Sequence, residues 1–307
     1  MTQQFDSLYD LMEAFPDEQS AIDHLRAIRW GENDERAYCP HCGSTRVNHF
    51  KDRKNHKCGD CRKRFSIKVG TIFEDSKIPL RKWFMAIWMI TSHKKGIAST
   101  QLAKDIKITQ KSAWFVLHRL RHAARTRSFN APMEGTSEID STFIGGKEKN
   151  KHADKRKPGS QGGANKEVVL GIKNRDGELR MQVIDSETMR VIRPIFHENV
   201  TKGSNIMTDE HKAFTGLWRD YNHHRVNHSK GEYVRHYTIH TNSIESVWAL
   251  LKRQIIGIHH WVSPKHLSRY VDEMSRRMNR ADMAEGERMN NLFTSVEGRL
   301  RYKEMIA

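Results

Sequence analysis

Apolar positions recur at helical spacing in the N-terminal segment: Phe5, Leu8, Leu11 and Met12, then, after Pro16-Asp17-Glu18, Ala21-Ile22, Leu25 and Ile28 to Trp30. The spacing predicts two helices with an acidic outer face, suited to packing or protein contact rather than to DNA. Residues 77–127 also read as helical. Residues 80–90 form an apolar helix, and 96–105 resemble the first helix of a helix-turn-helix. Residues 106–108 make the turn, and Thr109 or Gln110 opens a second helix with Ala113-Trp114, Val116-Leu117 and Leu120 facing inward. Lys111, His118, Arg119 and Arg121 are then expected on more exposed faces, where a recognition helix contacts the major groove. An ordinary helical hairpin has the same pattern.

Residues 125–135 read as a linker, and beyond them the period shortens to two. Residues 137–144 alternate, with Ile139, Ser141 and Phe143 on one side and Glu138, Asp140 and Thr142 on the other. Gly145-Gly146 ends this strand, and a basic, Gly-rich stretch over 147–166 is expected to be a mobile loop. Val168 to Ile172 and Leu179 to Ile184 form a hairpin around Asn174-Arg175-Asp176-Gly177. A helix over 189–197, a fourth strand over 205–208, a helical stretch over 211–217 and a short extended piece over 237–240 follow. Two more helices cover 243–255 and 264–278, with His259-His260-Trp261 in a turn between them.

All four cysteines fall in Cys39-Pro40-His41-Cys42 and Cys58-Gly59-Asp60-Cys61, with fifteen residues between the pairs. Two such knuckles match a closed tetrahedral zinc site with structural rather than catalytic duty. Nothing in the chain indicates secretion, which weakens a disulfide reading. The N-terminus has no signal-peptide pattern and no apolar run approaches the length of a membrane span, so a cytoplasmic location is expected.

Charge sharpens the division. Net charge is +16, yet residues 1–36 carry −6, residues 37–130 carry +16 and residues 131–307 carry +6. A basic excess concentrated in the cysteine and helical segments favours a polyanion, because each neutralised phosphate releases counterions.

Three antiparallel strands, a helix, a fourth strand and terminal helices follow the ribonuclease H-like order. There the first and fourth strands are neighbours, so Asp140 and Asp209, at the first strand and just past the fourth, would face one another. A third acid from the following helix would complete an oxygen-rich site for two Mg²⁺ or Mn²⁺ ions about 3.5–4 Å apart. Asn242 and Glu245 lie three apart and share a helix face, so either is a candidate third ligand. Lys252, seven beyond Glu245 and about 10.5 Å further along the axis, suits a nearby phosphate. The same residues also read as a capping box, Asn242 as N-cap with Glu245 in the first turn. The clustered histidines, His223-His224, His228, His236, His240, His259-His260 and His266, lack zinc spacing and are expected in polar contacts. Trp248 is expected in the core.

These motifs carry a resemblance: the paired Cys-x-x-Cys ribbon, the helix-turn-helix, Ile139-Asp140-Ser141-Thr142-Phe143-Ile144-Gly145-Gly146-Lys147, Thr208-Asp209-Glu210, and His240-Thr241-Asn242-Ser243-Ile244-Glu245-Ser246-Val247-Trp248. It continues through Leu251-Lys252-Arg253, Gly257-Ile258-His259-His260 and Lys265-His266-Leu267-Ser268-Arg269-Tyr270. The chain resembles bacterial insertion-sequence transposases of the family numbered 1595, in the acidic-triad superfamily. The resemblance implies a multidomain α+β protein. Its parts are an N-terminal helical segment (1–36), a zinc ribbon (37–76), a helix-turn-helix region (77–127), a ribonuclease H-like domain with a mixed sheet (136–285) and a C-terminal helical tail (286–307). It implies an enzyme that binds terminal inverted repeats and performs metal-dependent strand cleavage and transfer. Asp140, Asp209, Glu245, Asn242 and Lys252 match the family's active-site positions, and Cys39, Cys42, Cys58 and Cys61 its structural zinc ligands. It further implies double-stranded DNA as partner, a homodimer or larger assembly on that DNA, and a place at the bacterial nucleoid. A DNA-binding regulator with a degenerate domain, or a nuclease without strand transfer, would share most of these features.

Overall fold

The computed structural model describes residues 5–125, 131–146, 150, 152–155, 163, 165–232 and 234–306. Two compact units are present, Met1–Ala124 with Asp282–Ala307, and Arg125–Ala281.

The first unit starts with α1 (Leu8–Ala14) and α2 (Glu18–Trp30). Asp17 caps α2 in a reciprocal box with Ser20, and Gly31, at φ 89°, ends it. A three-stranded antiparallel ribbon follows, β1 (Val47–His49), β2 (Asn55–Cys58) and β3 (Arg64–Ser66). Next come α3 (Leu80–Ser92), α4 (Ser99–Asp105) and α5 (Gln110–Ala124). Pro79 precedes α3 and has no side chain able to cap it, so Glu18 of α2 does so, accepting from Leu80 N at 2.8 Å and Arg81 N at 3.1 Å. One hydrophobic core joins Leu11, Phe15 and Trp30 to Cys39 and Cys58 of the ribbon, to Trp83 and Phe84 of α3, and to Met289 and Phe293 of the helix Glu285–Phe293. The N-terminal helices, ribbon, helical region and returning C-terminal segment thus share one interior.

The α4–α5 pair has the tight connection of a helix-turn-helix, with Lys107 at φ 48° and Thr109 Oγ1 accepting from Ser112 N at the start of α5. Lys111 is exposed in that first turn. The expectation that His118, Arg119 and Arg121 lie on exposed faces is corrected: they are 0%, 3% and 1% exposed. The physical reason is clearest at Arg119, whose guanidinium reaches inward to the carbonyls of Ile72 and Glu74 at 2.6 and 2.7 Å.

In the second unit β4 (Thr136–Ile144), β5 (Glu167–Asn174) and β6 (Leu179–Ile184) form an antiparallel meander. After α6 (Met189–Asn199), β7 (Asn205–Thr208) and β8 (Asn222–Arg225) join parallel to β4, giving the order β6-β5-β4-β7-β8. A short hairpin of β9 (Val234–Arg235) and β10 (Ile239–His240) leads into α7 (Asn242–Gln254) and α8 (Pro264–Met278). One sheet face packs Ile139, Leu170, Ile172 and Ile206 against Ile192 and Phe196 of α6. The other packs Val169, Leu179 and Met181 against Val247, Trp248 and Leu251 of α7 and Val271 and Met274 of α8. The mixed α+β architecture and the pairing of the first and fourth strands of this sheet are those read from the sequence.

The helical stretch expected over 211–217 is two 3-10 turns, Lys212–Phe214 and Leu217–Arg219; Gly216, at φ 86°, breaks the run between them. The basic stretch 147–166 falls mostly outside the described residues, as does the middle of the linker over 125–135. Among the described residues no helix is long and apolar enough to cross a membrane.

Candidate zinc ribbon and acidic site

The two Cys-x-x-Cys turns bring four sulfurs together. Cys39 Sγ lies 3.7 Å from Cys61 Sγ and Cys42 Sγ 3.6 Å from Cys58 Sγ. All four lie within 4.8 Å of one another, and none is in a disulfide. A tetrahedron with zinc–sulfur bonds of about 2.3 Å has edges of about 3.8 Å, so these separations fit zinc. Backbone N–H groups of His41 and Cys61 point at Cys39 Sγ and Cys58 Sγ, both at 3.4 Å, which favours thiolates. No position is left for a reacting ligand, so the site is structural.

The second site is built on the sheet. The parallel β4–β7 pairing ends at Glu138 with Met207, two residues before Asp140 on β4 and before Asp209, which follows the last residue of β7. On its other side Asp140 pairs with Gly171 of β5. The absence of a side chain there lets α7 approach: a Cβ on Gly171 would stand 2.5 Å from Trp248 Cη2 and 2.8 Å from Ile244 Cδ1. In that slot Trp248 Nε1–H donates to Asp140 Oδ2 at 2.8 Å. Burial pushes the Asp140 carboxyl up to about 6, the charge of Asp209 adds to this, and Glu245 contributes further; the Trp248 bond opposes them. Asp209 Oδ1 accepts from His211 N at 3.0 Å. Glu245 Oε1 accepts from Thr241 Oγ1 at 2.8 Å and faces His228 Nε2 at 3.3 Å.

The charges of Asp209 and Glu245 thus act on Asp140, but the three carboxylates are not gathered within metal-binding reach. Among the described residues the four cysteines are the one group of three or more possible ligands gathered within metal-binding reach. The chemistry of the donor set still suits a hard cation: all donors are carboxylate oxygens, and the repulsion that adds to burial at Asp140 is what a bound Mg²⁺ or Mn²⁺ would relieve. Asn242 is exposed at the first position of α7, and Lys252 is exposed nearly three turns further on.

The capping reading of Asn242 is corrected. Thr241 occupies the N-cap position, and the N-terminal amides are held from the sheet. The Glu138 carboxylate, fully buried, accepts from Ser243 N at 2.8 Å, Ile244 N at 3.1 Å and Ser243 Oγ at 3.1 Å. Arg175 Nε donates to it at 2.9 Å, and His240 Nδ1 lies 3.2 Å away. Glu138 shares a strand face with Asp140, a visible signal, but its partners come from two distant segments, Arg175 and residues 240–244. Sequence reading also missed Glu187, which follows β6. Its carboxylate accepts from Ser141 Oγ and faces His211 Nε2 at 3.5 Å, tying the residue after Asp140 to the residue that Asp209 holds. Burial raises the Glu187 carboxyl above its ordinary value, His211 opposing and Asp209 adding to the effect. A residue in a short connection has no periodicity by which to find it.

Several of the histidines make internal polar contacts. His223 Nε2 meets Thr208 Oγ1 at 2.8 Å, beside Asp209, and burial pushes its imidazole down to about 4. His228 also meets Thr241 Oγ1 at 3.2 Å. Trp248 is buried as expected, with the added bond to Asp140.

Two family models match the chain: the ISXO2-like transposase domain over residues 132–279, and the transposase zinc-ribbon domain over residues 16–64. Both describe IS1595 elements and together they span more than half of the sequence, so the chain belongs to the IS1595 transposases. A relative, described as an uncharacterized protein in transposable element ISH50 of Halobacterium salinarum, is 27% identical over 277 residues, covering 85% of this chain and 90% of its own. A solved structure, of a pre-cleavage Mos1 transpososome, aligns over 66% of this chain and 75% of that one at 11% identity, with a TM-score of 0.21, a likeness too weak to carry an argument.

Proposed function

We propose that this transposase binds the terminal inverted repeats of its element and performs divalent-metal-dependent strand cleavage followed by strand transfer. The observation that carries the reading is that the charges of Asp209, just past β7, and of Glu245 on α7 both act on Asp140 of the neighbouring strand β4. Asp140, Asp209 and Glu245 would hold the ions. Bound there, Mg²⁺ or Mn²⁺ supplies the charge that activates an attacking water or 3′-hydroxyl and stabilises the leaving oxygen. The protein's own part is positioning. Trp248 fixes the Asp140 carboxylate, Thr241 and His228 orient Glu245, and Lys252 holds a phosphate of the bound strand. Asn242, one turn before Glu245, lends an amide to the same strand. Lys111, exposed in the first turn of α5, contacts DNA, and the zinc ribbon steadies the unit that carries it. Joining two element ends requires a dimer or larger assembly on DNA.

The test is cleavage and joining of a DNA fragment carrying the element end, in Mg²⁺ or Mn²⁺, by the wild type and by Asp140→Ala, Asp209→Ala and Glu245→Ala. Each variant should lose at least a thousandfold in rate while still binding DNA. Cleavage that survives all three substitutions sinks the metal-site assignment. Cleavage without joining would mark a nuclease, and binding without cleavage a regulator.

A further inference from the structure

A cavity of about 450 Å³ opens in the second unit where β4 ends, between Gly145-Gly146 and the turn that joins α7 to α8. It belongs to none of the residues assigned above. Its floor is apolar, from Ile144, Val262 and Leu267. At its mouth stands Trp261, 63% exposed. The backbone holds the ring there by unusual means. After α7 the chain runs through a π-helical stretch, Ile255–His259, then His260 adopts φ 60°, a left-handed conformation that few residues other than glycine take. Val262, next in sequence, is buried and anchors the turn. An indole kept out of the core by a strained turn beside a cavity calls for a ligand that stacks on it.

We propose that this cavity receives one unpaired nucleobase of the bound DNA, stacked on Trp261. The proposal rests on the transposase reading above. Three observations select a base over other occupants. The volume falls in the range of roughly 300–1,000 Å³ in which a small ligand buries most of its surface. Glu167 lines the cavity and repels a phosphate, while its carboxylate can accept from the exocyclic amino group of adenine, cytosine or guanine; Asn165 adds an amide that both donates and accepts. The two helices joined by this turn carry exposed cations at their near ends, Lys252 and Arg253 in the last turn of α7 and Lys265 in the first of α8, which attract a DNA backbone, not an apolar protein segment. Gly145 lies five residues beyond Asp140, just past the end of the strand that carries it, about 16 Å away along the chain, so the captured base sits a few nucleotides from the phosphate at the acidic site. Glu167 also predicts a preference: a base carrying an amino group enters more readily than thymine.

The full-length protein is mixed with a DNA duplex carrying a single-stranded 3′ overhang, with 2-aminopurine at each overhang position in turn. A distant fluorescein reports binding by anisotropy. Stacking quenches 2-aminopurine, and quenching of threefold or more is expected at one or two adjacent positions, kept by Trp261→Phe and lost in Trp261→Ala. Binding by Trp261→Ala should weaken no more than tenfold. Glu167→Gln should reduce the preference for adenine over thymine at the quenched position. Absence of quenching at every position, or unchanged quenching in Trp261→Ala, overturns the proposal. So does a concentration-dependent dimer that Trp261→Ala abolishes without any quenching, since the occupant is then a second copy of the chain. Quenching without cleavage of element-end DNA counts against the transposition chemistry and not against the base site. Cleavage without quenching does the reverse.

Discussion

Asp140 is held in a state that costs stability. Its carboxyl titrates at about 6, raised first by burial and then by Asp209, against an ordinary 3.8 in the unfolded chain. Because the folded-state value is raised, the group's contribution is most favourable below about pH 4 and is lost as pH rises through about 6. Asp140→Asn removes the charge but keeps an oxygen to accept the Trp248 bond. Thermal melts in a metal chelator should therefore show this variant more stable than wild type at pH 8, by on the order of 1–3 kcal/mol, and no different at pH 4. Equal differences at both pH values would mean that folding does not raise the Asp140 carboxyl. Glu138, two residues earlier, has the opposite character. Its carboxylate is fully buried but accepts from two α7 amides, the Ser243 hydroxyl and Arg175. Glu138→Ala strands those donors and should cost about 3–5 kcal/mol in urea unfolding. A cost below about 1 kcal/mol would show that the cap does not hold α7 in place.

At the scale of elements, the first four strands of the large sheet, the two helices of the turn motif, the cysteine turns and α7 and α8 were legible because each is written in local periodicity or spacing, whereas β8, a polar edge strand of four residues, was not. What was not legible depends on groups that meet only in the fold. Arg119 sits on the helix where charge alone would place it in solvent, yet it finds two carbonyls of a preceding loop. Asn242 reads as a cap by spacing, but Glu138 on the sheet takes that duty. Glu187 joins the site through a connection too short to carry a pattern. Gly171 is the element-scale hinge of the arrangement, since its missing side chain lets Trp248 and Ile244 of α7 rest against β5 opposite Asp140. Gly171→Ala should cost about 1–3 kcal/mol by overpacking and, by lifting α7 with Glu245, lower cleavage more than it lowers DNA binding. An equal loss in both would place the effect in global folding instead of in the docking of α7.

The molecule as a whole is discontinuous: the chain leaves the first unit at Ala124, builds the second, and returns at Asp282. The returning helix Glu285–Phe293 is not an appendage, because Met289, Leu292 and Phe293 are buried in the core that also holds Phe15, Phe84, Cys39 and Cys58. Gly286 packs against the backbone of Phe5, where an added Cβ would lie 2.3 Å from the Phe5 carbonyl oxygen, and Arg29 pairs with Glu297 at 2.7 Å. Zinc held by the four cysteines would stabilise the same interior as the C-terminal segment by a different route, the one closing the ribbon and the other covering its helical neighbours. Truncation after residue 281 should weaken the first unit by several kcal/mol, the scale of three large apolar side chains returned to water. The second unit's core lies wholly within residues 133–274 and should keep its unfolding midpoint. Hydrogen exchange can read both at once: in the truncated chain, amides of α2 and α3 should lose protection while those of β4 and β5 keep it, and a zinc chelator acting on the full chain should give the same pattern. If truncation instead strips protection from β4 and β5, the two cores fold as one cooperative body.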